Sequence, residues 1–555
     1  MAAFLDGFPR HAKMHPCGVV LSRDPIHTLT PTFTSSKGYP TTHFEMDAVE
    51  HVGLVKMDIL AQGGLAVIRD TLAMLAEAGV TPDLEHLEPW EDPTIWRMIA
   101  TGNARGVHHI ESPAMISLSK MCNVHDIDCL IAIVSVIRPG AANGMKKAQF
   151  ARRAQGLETP DYAHPSLAGV LRSTFGVVAY EEHILQICEE FAGLNPGRAD
   201  VLRRALVKQK QSVIEEIGRE FIRCARAKGR SDEDIMRVWE LVYGFQGYAF
   251  CRAHSTAYGI EAYQGAYLKC HHPAEFLAAV LSNGKGFYTA LAYTLEARRL
   301  GIQFASPDVN ASRWDFVVEG AKTIRVPLRT IKDLTQKTLT RWKEERASAP
   351  FDSLRDFYLR VGPDVAEVSN LIRVGAFDGF GETRTVQFWK LRRLVQWPNA
   401  QGFLFRSDEE TVPIEVPLTE PTALQRSRDE MELLGFTVSC HPLDLYPEIA
   451  WATYCSVTEL HRYAGQTVIT CGLTIADRSH HQITGDQMKF ITLCDYTGMV
   501  ECEIFAESFR RFGLVTIQYP VVEIEGEVTA FENGLGFTLD VKSVRKPRGW
   551  RAASS

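Results

Sequence analysis

The sequence contains no uninterrupted run of about 18 apolar residues, so it offers no membrane-spanning helix. Its amino terminus, MAAFLDGFPRHAKMHP, lacks the apolar core of a secretory signal. No two of its 12 cysteines form a CxxC pair, which points to reduced thiols and a cytoplasmic protein. The histidine pairs at 108–109, 271–272 and 480–481 have no partner at ligand spacing, so no structural zinc is expected. No orienting base is identifiable for Cys17 and His15, which argues against a cysteine nucleophile there. Long repeats and low-complexity tracts are absent. Positive charge is also in deficit: 60 Lys and Arg against 67 Asp and Glu give a net charge of −7. Taken as a whole-chain figure, that argues against a protein built around nucleic acid.

The distribution of charge says otherwise. Between Met145 and Arg230 stand 15 Lys and Arg against 10 Asp and Glu, a local +5 within the chain of −7. Phosphate neutralisation depends on local charge, so a polyanion groove and a set of solvated helix faces are both open readings. The 555 residues are too many for one core and imply roughly three or four domains.

Residues 1–70 read as short strands and turns, with apolar runs at Gly18–Leu21 and Val52–Val55. From about 71 to 300 the pattern is helical: Val213, Ile217, Phe221 and Ala225 recur at spacing four. Proline and glycine mark joints at 138–140, 195–197 and 272–273, and Pro273 opens a helix. Shorter basic amphipathic helices occupy 311–390, and 398–422 reads as a linker. After about 450 the period becomes two. Val500, Cys502 and Ile504 alternate with Glu501 and Glu503, and Val522 and Ile524 with Glu523 and Glu525, as in half-buried strands. About five such strands fit a small oligonucleotide-binding barrel.

Asp58 lies in an apolar strand-like run with Lys56, and a carboxylate there needs a cation or metal; a cap or salt bridge is the alternative. Arg203, Arg204, Lys208 and Lys210 gather on one expected helix, with Arg204 and Lys208 at i, i+4, where an anionic partner would relieve their repulsion. Residues Phe245–Tyr258 interleave aromatics with Arg252 and His254 in a glycine-containing turn, suited to stacking bases or to core packing. Asp126-Ile-Asp128 has the form of a metal-binding pair, but it opens a helical run and reads as a cap.

These blocks, in order, resemble one family: the alpha (polymerase) subunit of bacterial DNA polymerase III, replicative or error-prone. The resemblance is carried by Gly7-Phe-Pro-Arg-His11, Gly18 to Pro25, Val55-Lys-Met-Asp58, His109-Ile-Glu-Ser-Pro113, Ile137-Arg-Pro-Gly140, Phe175 to Glu182, Ala199 to Arg204, Gly247 to Tyr258, Tyr263-Gln264 and His272 to Phe276. Leu371 to Asp378 is similar to the end of the family's helix-hairpin-helix region, and Leu434 to Leu443 to the lead into its barrel. Gln401-Gly-Phe-Leu-Phe405 is similar to a clamp-binding peptide, with Gln401, Leu404 and Phe405 as its anchors.

The resemblance implies a multidomain α+β fold: a partial palm sheet (1–70), large helical fingers (71–310), a helix-hairpin-helix and clamp-binding region (311–445) and a C-terminal OB-type β-barrel (446–555). It implies DNA-directed DNA polymerase chemistry, a primer 3'-hydroxyl attacking a deoxynucleoside triphosphate at a two-magnesium site. Asp58 is the expected metal ligand, with Lys56 near the phosphates. Arg138, Arg203, Arg204, Lys208, Tyr248, Arg252, His254, Tyr263 and Gln264 are the expected nucleotide- and DNA-binding residues. Primer-template DNA, dNTP and a sliding clamp are the implied partners. The family's D-x-D pair precedes the block at Gly7, so the first palm half, the thumb and a phosphoesterase-like domain are expected to be missing. So is any tail domain beyond the barrel. The Mg2+ site is then incomplete, and the chain is expected to be inactive without a separate polypeptide carrying the palm half. A non-catalytic DNA- and clamp-binding protein is the second reading. Finally, Asp333 stands where a hairpin turn favours glycine, which is expected to weaken the grip on DNA.

Overall fold

The structure, a computed structural model, describes residues 14–15, 17–35, 37–137, 144–245, 251–396, 419–481 and 485–549. The chain divides into two compact units, Met1–Gly63 and Gly64–Ser555.

The first unit contains β1 (Gly18–Leu21), the hairpin β2 (Thr32–Thr34) and β3 (Pro40–Thr42), helix α1 (Met46–His51) and β4 (Val55–Asp58). Glu45 caps α1 by accepting from the N–H groups of Asp47 and Ala48 at 2.8 Å. The chain then turns at Gly53 (φ +78°), so the apolar stretch at 52–55 contributes only Val55 to a strand. β4 pairs antiparallel with β1, Met57 opposite Val19 and Val55 opposite Leu21. These four side chains share one face of the ribbon and all are exposed. Lys56 and Asp58 share the other face. A two-stranded ribbon with an uncovered apolar face is marginal on its own.

The second unit begins with a helical region: α2 (Gly63–Glu77), α3 (Pro93–Ala100), α4 (Pro113–Cys122), α5 (Ile127–Val136), α6 (Gly144–Ala154), α7 (Ala168–Leu171), α8 (Glu181–Ile187), α9 (Pro196–Val207), α10 (Gln211–Ala227), α11 (Asp232–Tyr243), α12 (Arg252–His271), α13 (Pro273–Asn283) and α14 (Ala290–Arg299). Caps explain several starts. Ser112 caps α4 with Pro113 in its first turn, and Asp126 caps α5 by accepting from Cys129 N–H at 2.8 Å. The amphipathic α10 buries Ile214, Ile217, Phe221 and Ala225 in a secondary core. The 20-residue α12 is the axis of the main core. Gly259 lets it approach α5 so closely that a Cβ there would lie 2.6 Å from Ile131 Cγ1. Lys269 staples its far end, donating to the carbonyls of Asn103 and Arg105 at 2.6 and 2.7 Å and to Glu296 Oε1 at 2.7 Å, with both side chains buried.

Next comes a small sheet that the sequence pattern does not reveal. β5 (Gln303–Ala305) runs parallel to β7 (Thr323–Arg325), which pairs antiparallel with β6 (Val317–Glu319). Helices α15 (Gln336–Ser348), α16 (Leu354–Val361), α17 (Val365–Arg373), α18 (Arg384–Gln396) and α19 (Ala423–Leu434) follow.

The carboxy-terminal strands β8 (Thr467–His481), β9 (Gln487–Cys494), β10 (Met499–Ile504), β11 (Val521–Ala530) and β12 (Phe537–Arg545) close into a five-stranded barrel of the OB type, in the order β10-β12-β11-β8-β9. Helices α20 (Ala506–Phe512) and α21 (Val515–Gln518) connect β10 to β11. Val500, Cys502 and Ile504 point inward as the alternation requires. On β11 the alternation misleads: Glu523 is buried, accepting from Tyr454 Oη at 2.8 Å, because the segment before the barrel covers that outer face.

Candidate functional site

Three places concentrate chemistry-bearing residues, two of them anticipated from the sequence. The first is the polar face of the β1–β4 ribbon. Asp58 and Lys56 sit two residues apart on β4, and Lys56 Nζ donates to Asp58 Oδ2 at 2.9 Å. His15 Nδ1 approaches Asp58 Oδ1 to 3.6 Å. Gly18 permits this convergence, since a Cβ there would lie 2.7 Å from His15 Nδ1 and 3.2 Å from Lys56 Cε. Asp58 is open to solvent, its side chain 44% exposed. One carboxylate already bonded to an ammonium, with one imidazole beside it, does not fit a two-cation site, which needs several carboxylates. No group of three or more His, Cys, Asp or Glu suited to a metal occurs among the described residues.

The second place joins α8, α9 and α12. Arg203 donates through Nε and Nη2 to Asp200 Oδ1 at 2.9 and 2.8 Å and through Nη1 to Glu181. Arg204 pairs with the other oxygen of Asp200 at 2.5 Å. The Arg203 hydrogen bond, opposed by burial and aided by both positive charges, holds the Asp200 carboxyl below its ordinary range. α9 ends at Val207, so Lys208 caps the helix where the dipole favours a cation. The expected Arg204–Lys208 repulsion is therefore already relieved within the protein. Arg204 and Lys208 remain exposed, whereas Arg203 is held.

Glu182, next to the Arg203 partner Glu181, accepts from the backbone N–H of Arg252 at 2.8 Å. Here the turn expected through Arg252 and His254 is corrected: both stand in the first turn of α12, whose N-cap is Cys251. The Arg252 guanidinium lies 3.8 Å from Asp128 and 5.9 Å from the Tyr180 ring centre. It borders an open groove of about 630 Å³ that Arg172, Asp128, Gln186 and Glu189 also line. One wall is the π-helical turn Cys188–Ala192, a distortion common at functional sites.

The third place was not anticipated. His254 packs against Tyr258 at 4.1 Å between ring centres, and Tyr258 stacks on His109 at 3.9 Å and 14°. His109 adopts a left-handed φ of +69°. Its Nε2 lies 3.1 Å from Glu261 Oε1 without hydrogen-bond alignment. Burial pushes the neighbouring His108 imidazole down. The available signal was Tyr258 and Glu261 at helical spacing i, i+3, hidden because the stretch up to Tyr258 read as a turn.

Tyr263 and Gln264 occupy packing positions. Tyr263 is buried between Trp90 and Trp96, each ring centre 5.0 Å away, and offers no face to a base. Gln264 Nε2 donates to the Leu84 carbonyl at 3.2 Å. Arg138, Tyr248, Gln401, Leu404 and Phe405 lie outside the described residues.

Comparison with known proteins places these features. Residues 1–61 match the model described as the bacterial DNA polymerase III alpha NTPase domain. Residues 64–229 match the bacterial DNA polymerase III alpha subunit finger domain, and residues 301–387 match a helix-hairpin-helix motif. The chain belongs to the bacterial DNA polymerase III alpha family. It is 33% identical over 535 residues to DNA polymerase III subunit alpha of Thermus aquaticus, covering 92% of this chain and 43% of that protein. It is 30% identical over 532 residues to the Aquifex aeolicus subunit (94% and 45%). With the error-prone DNA polymerase of Symbiobacterium thermophilum it shares 29% over 554 residues (91% and 51%). The chain thus spans about half the length of these relatives, or less.

Proposed function

We propose that the chain works as the later palm, fingers, helix-hairpin-helix and barrel portion of a DNA-directed DNA polymerase, adding deoxynucleotides to a primer 3'-hydroxyl under template direction. The observation that carries this reading is the finger-domain match at 64–229, the stretch that holds the Asp200–Arg203–Arg204 cluster and most of the wall of the groove beside Arg252. The assigned regions are 1–70, 71–310, 311–445 and 446–555. Arg204, Lys208 and Arg252 contact phosphates, and Arg203 positions its neighbours through Asp200 and Glu181. Asp58 contributes one carboxylate and Lys56 orients it. The residues around Asp58 do not make a two-magnesium site, so no catalytic step is assigned to this chain alone. The uncovered apolar face of the β1–β4 ribbon supports completion of the sheet by a further polypeptide segment that carries the missing carboxylates. Gln401, Leu404 and Phe405 bind a sliding clamp.

The test is magnesium-dependent primer extension by the 555-residue chain, alone and mixed with a polypeptide carrying the other palm half. Extension is expected only in the mixture and is lost with Asp58→Ala. Extension by the chain alone, abolished by Asp58→Ala, refutes the two-part reading. Binding to DNA and clamp without extension in either case favours a tethering protein.

A further inference from the structure

The barrel shares Leu473, Ile475, Cys494 and Val521 with the main core, while Phe490, Thr492, Glu501 and Glu503 of β9 and β10, the face with which barrels of this type hold oligonucleotides, line a gap shared with α4. The β11–β12 turn fixes the contact: Asn533 Nδ2 donates to the Lys120 carbonyl at 2.8 Å, and Glu532 lies 3.4 Å from Arg152. The surfaces do not meet everywhere. A cavity of about 200 Å³ remains between α4 and the barrel. It is smaller than the ~300–1,000 Å³ of pockets for drug-sized ligands. It is larger than the ~150 Å³ that accommodates one benzene ring. Its size therefore selects a single heteroaromatic ring system and excludes a whole nucleoside triphosphate.

The lining is chemically sorted. Phe287, Phe490 and Phe531 supply aromatic walls, Glu501, Glu503 and Lys147 supply charged groups, and the exposed Asp477 (ion-paired with Lys489 at 2.6 Å) and Arg478 complete the charged lining. Thr492 Oγ1 donates to both Glu501 oxygens at 2.9 Å, which fixes the carboxylate while leaving lone pairs on each oxygen. Burial depresses the Lys147 ammonium, and the Glu503 carboxylate in the same lining opposes that shift. With Asp477 already paired to Lys489, the Glu501 and Glu503 carboxylates and the Lys147 ammonium, in a lining that also carries three aromatic rings, complement the Watson–Crick edge of guanine, with two donors (N1–H and N2–H2) beside one acceptor (O6).

We propose that the seam between the helical region and the barrel is a guanine-binding site, in which Glu501 accepts from N1–H and N2–H2, Lys147 donates to O6, and Phe490 and Phe531 stack on the base. The base comes either from a free guanosine or from an unpaired position in a single strand threaded over the barrel. The second source rests on the nucleic-acid-binding reading of the barrel; the first does not.

The test measures binding of the full chain, at pH 8 and fixed salt, to labelled dT15, to dT15 with one central dG, and to free guanosine. The single dG is expected to tighten binding about tenfold, within what a bidentate base contact supplies. Glu501→Gln is expected to erase that preference, so that dT15 and its dG variant bind alike, and Phe490→Ala to reduce it. If dT15 binds but dG adds nothing, the single-strand source fails and free guanosine decides; if the preference survives Glu501→Gln, the proposal is overturned. If dT15 fails to bind, the oligonucleotide role of the barrel fails instead. Free guanosine then decides: slowed amide exchange in β9 and β10, lost in Glu501→Gln, supports the site, and unchanged exchange refutes it.

Discussion

Glu501 makes the seam sensitive to pH, and Glu501→Gln isolates the effect. Burial raises the Glu501 carboxyl to about 7 from 4.5, against the lowering pull of Arg105, the Thr492 hydroxyl and Lys120 and with the raising push of Glu503. Because the closed seam binds this proton more tightly than the open one, closure is favoured at low pH and the benefit is lost as pH rises through about 7. At about 1.36 kcal/mol per tenfold change, the free energy of opening falls by roughly 2–3 kcal/mol between pH 5 and 8. Burial raises Glu503 as well, with the same sign. Lys120 and Lys147, both depressed by burial, also face the site. A chain of several domains has no single unfolding free energy, so the assay is hydrogen exchange of amides in β10 and α4, corrected for intrinsic rates. In the wild type, protection at these amides is expected to drop roughly a hundredfold from pH 5 to pH 8. In Glu501→Gln most of that slope disappears, leaving the share due to Glu503, and the variant is the better protected of the two at pH 8. Equal slopes in the two proteins would show that Glu501 titrates in contact with water and would sink the reasoning.

Other perturbations test the frame around the candidate site. Burial alone would raise the Glu296 carboxyl, but Lys269 and Arg299 hold it well below the usual range. Lys269→Met leaves that charge with Arg299 as its hydrogen-bonding cation and strips a donor from two carbonyls, so thermal unfolding of the helical region should show a loss of about 3 kcal/mol, the lower end for breaking a buried pair. Gly259→Ala drives a Cβ into Ile131 and should cost about 1–3 kcal/mol, measured in the same melt. Asp333 adopts a left-handed φ of +64°. Asp333→Gly should relieve up to about 1 kcal/mol of strain and, by removing an anion within the helix-hairpin-helix match, should tighten duplex binding in a salt-dependent way. An unchanged duplex affinity would place that turn away from the DNA.

The features legible in the sequence are those with a local cause. Asp126 was readable as a cap because a carboxylate can reach an N–H three residues on; Pro273 was readable because its fixed φ suits a first turn. The β10 strand showed its period because one face meets the core and the other a mixed surface. α12 escaped for the opposite reason. It is buried on several sides and carries Ser255, Glu261 and Lys269 into the interior, so it has no apolar stripe for a 3.6-residue period to detect. Only the start of α12, within 245–258, read as a turn; Tyr263 was expected at the nucleotide or DNA from the resemblance alone, and its ring is enclosed by tryptophans from residues 90 and 96, more than 160 positions upstream. Glu523 and Glu501 make the same point on the barrel: each alternates correctly along its strand, yet each is taken out of solvent by a segment distant in sequence. Burial of a charge by a remote neighbour leaves no trace in local spacing. It does leave a titration anomaly in the folded protein, which is why the pH dependence of the seam probes what the sequence pattern cannot.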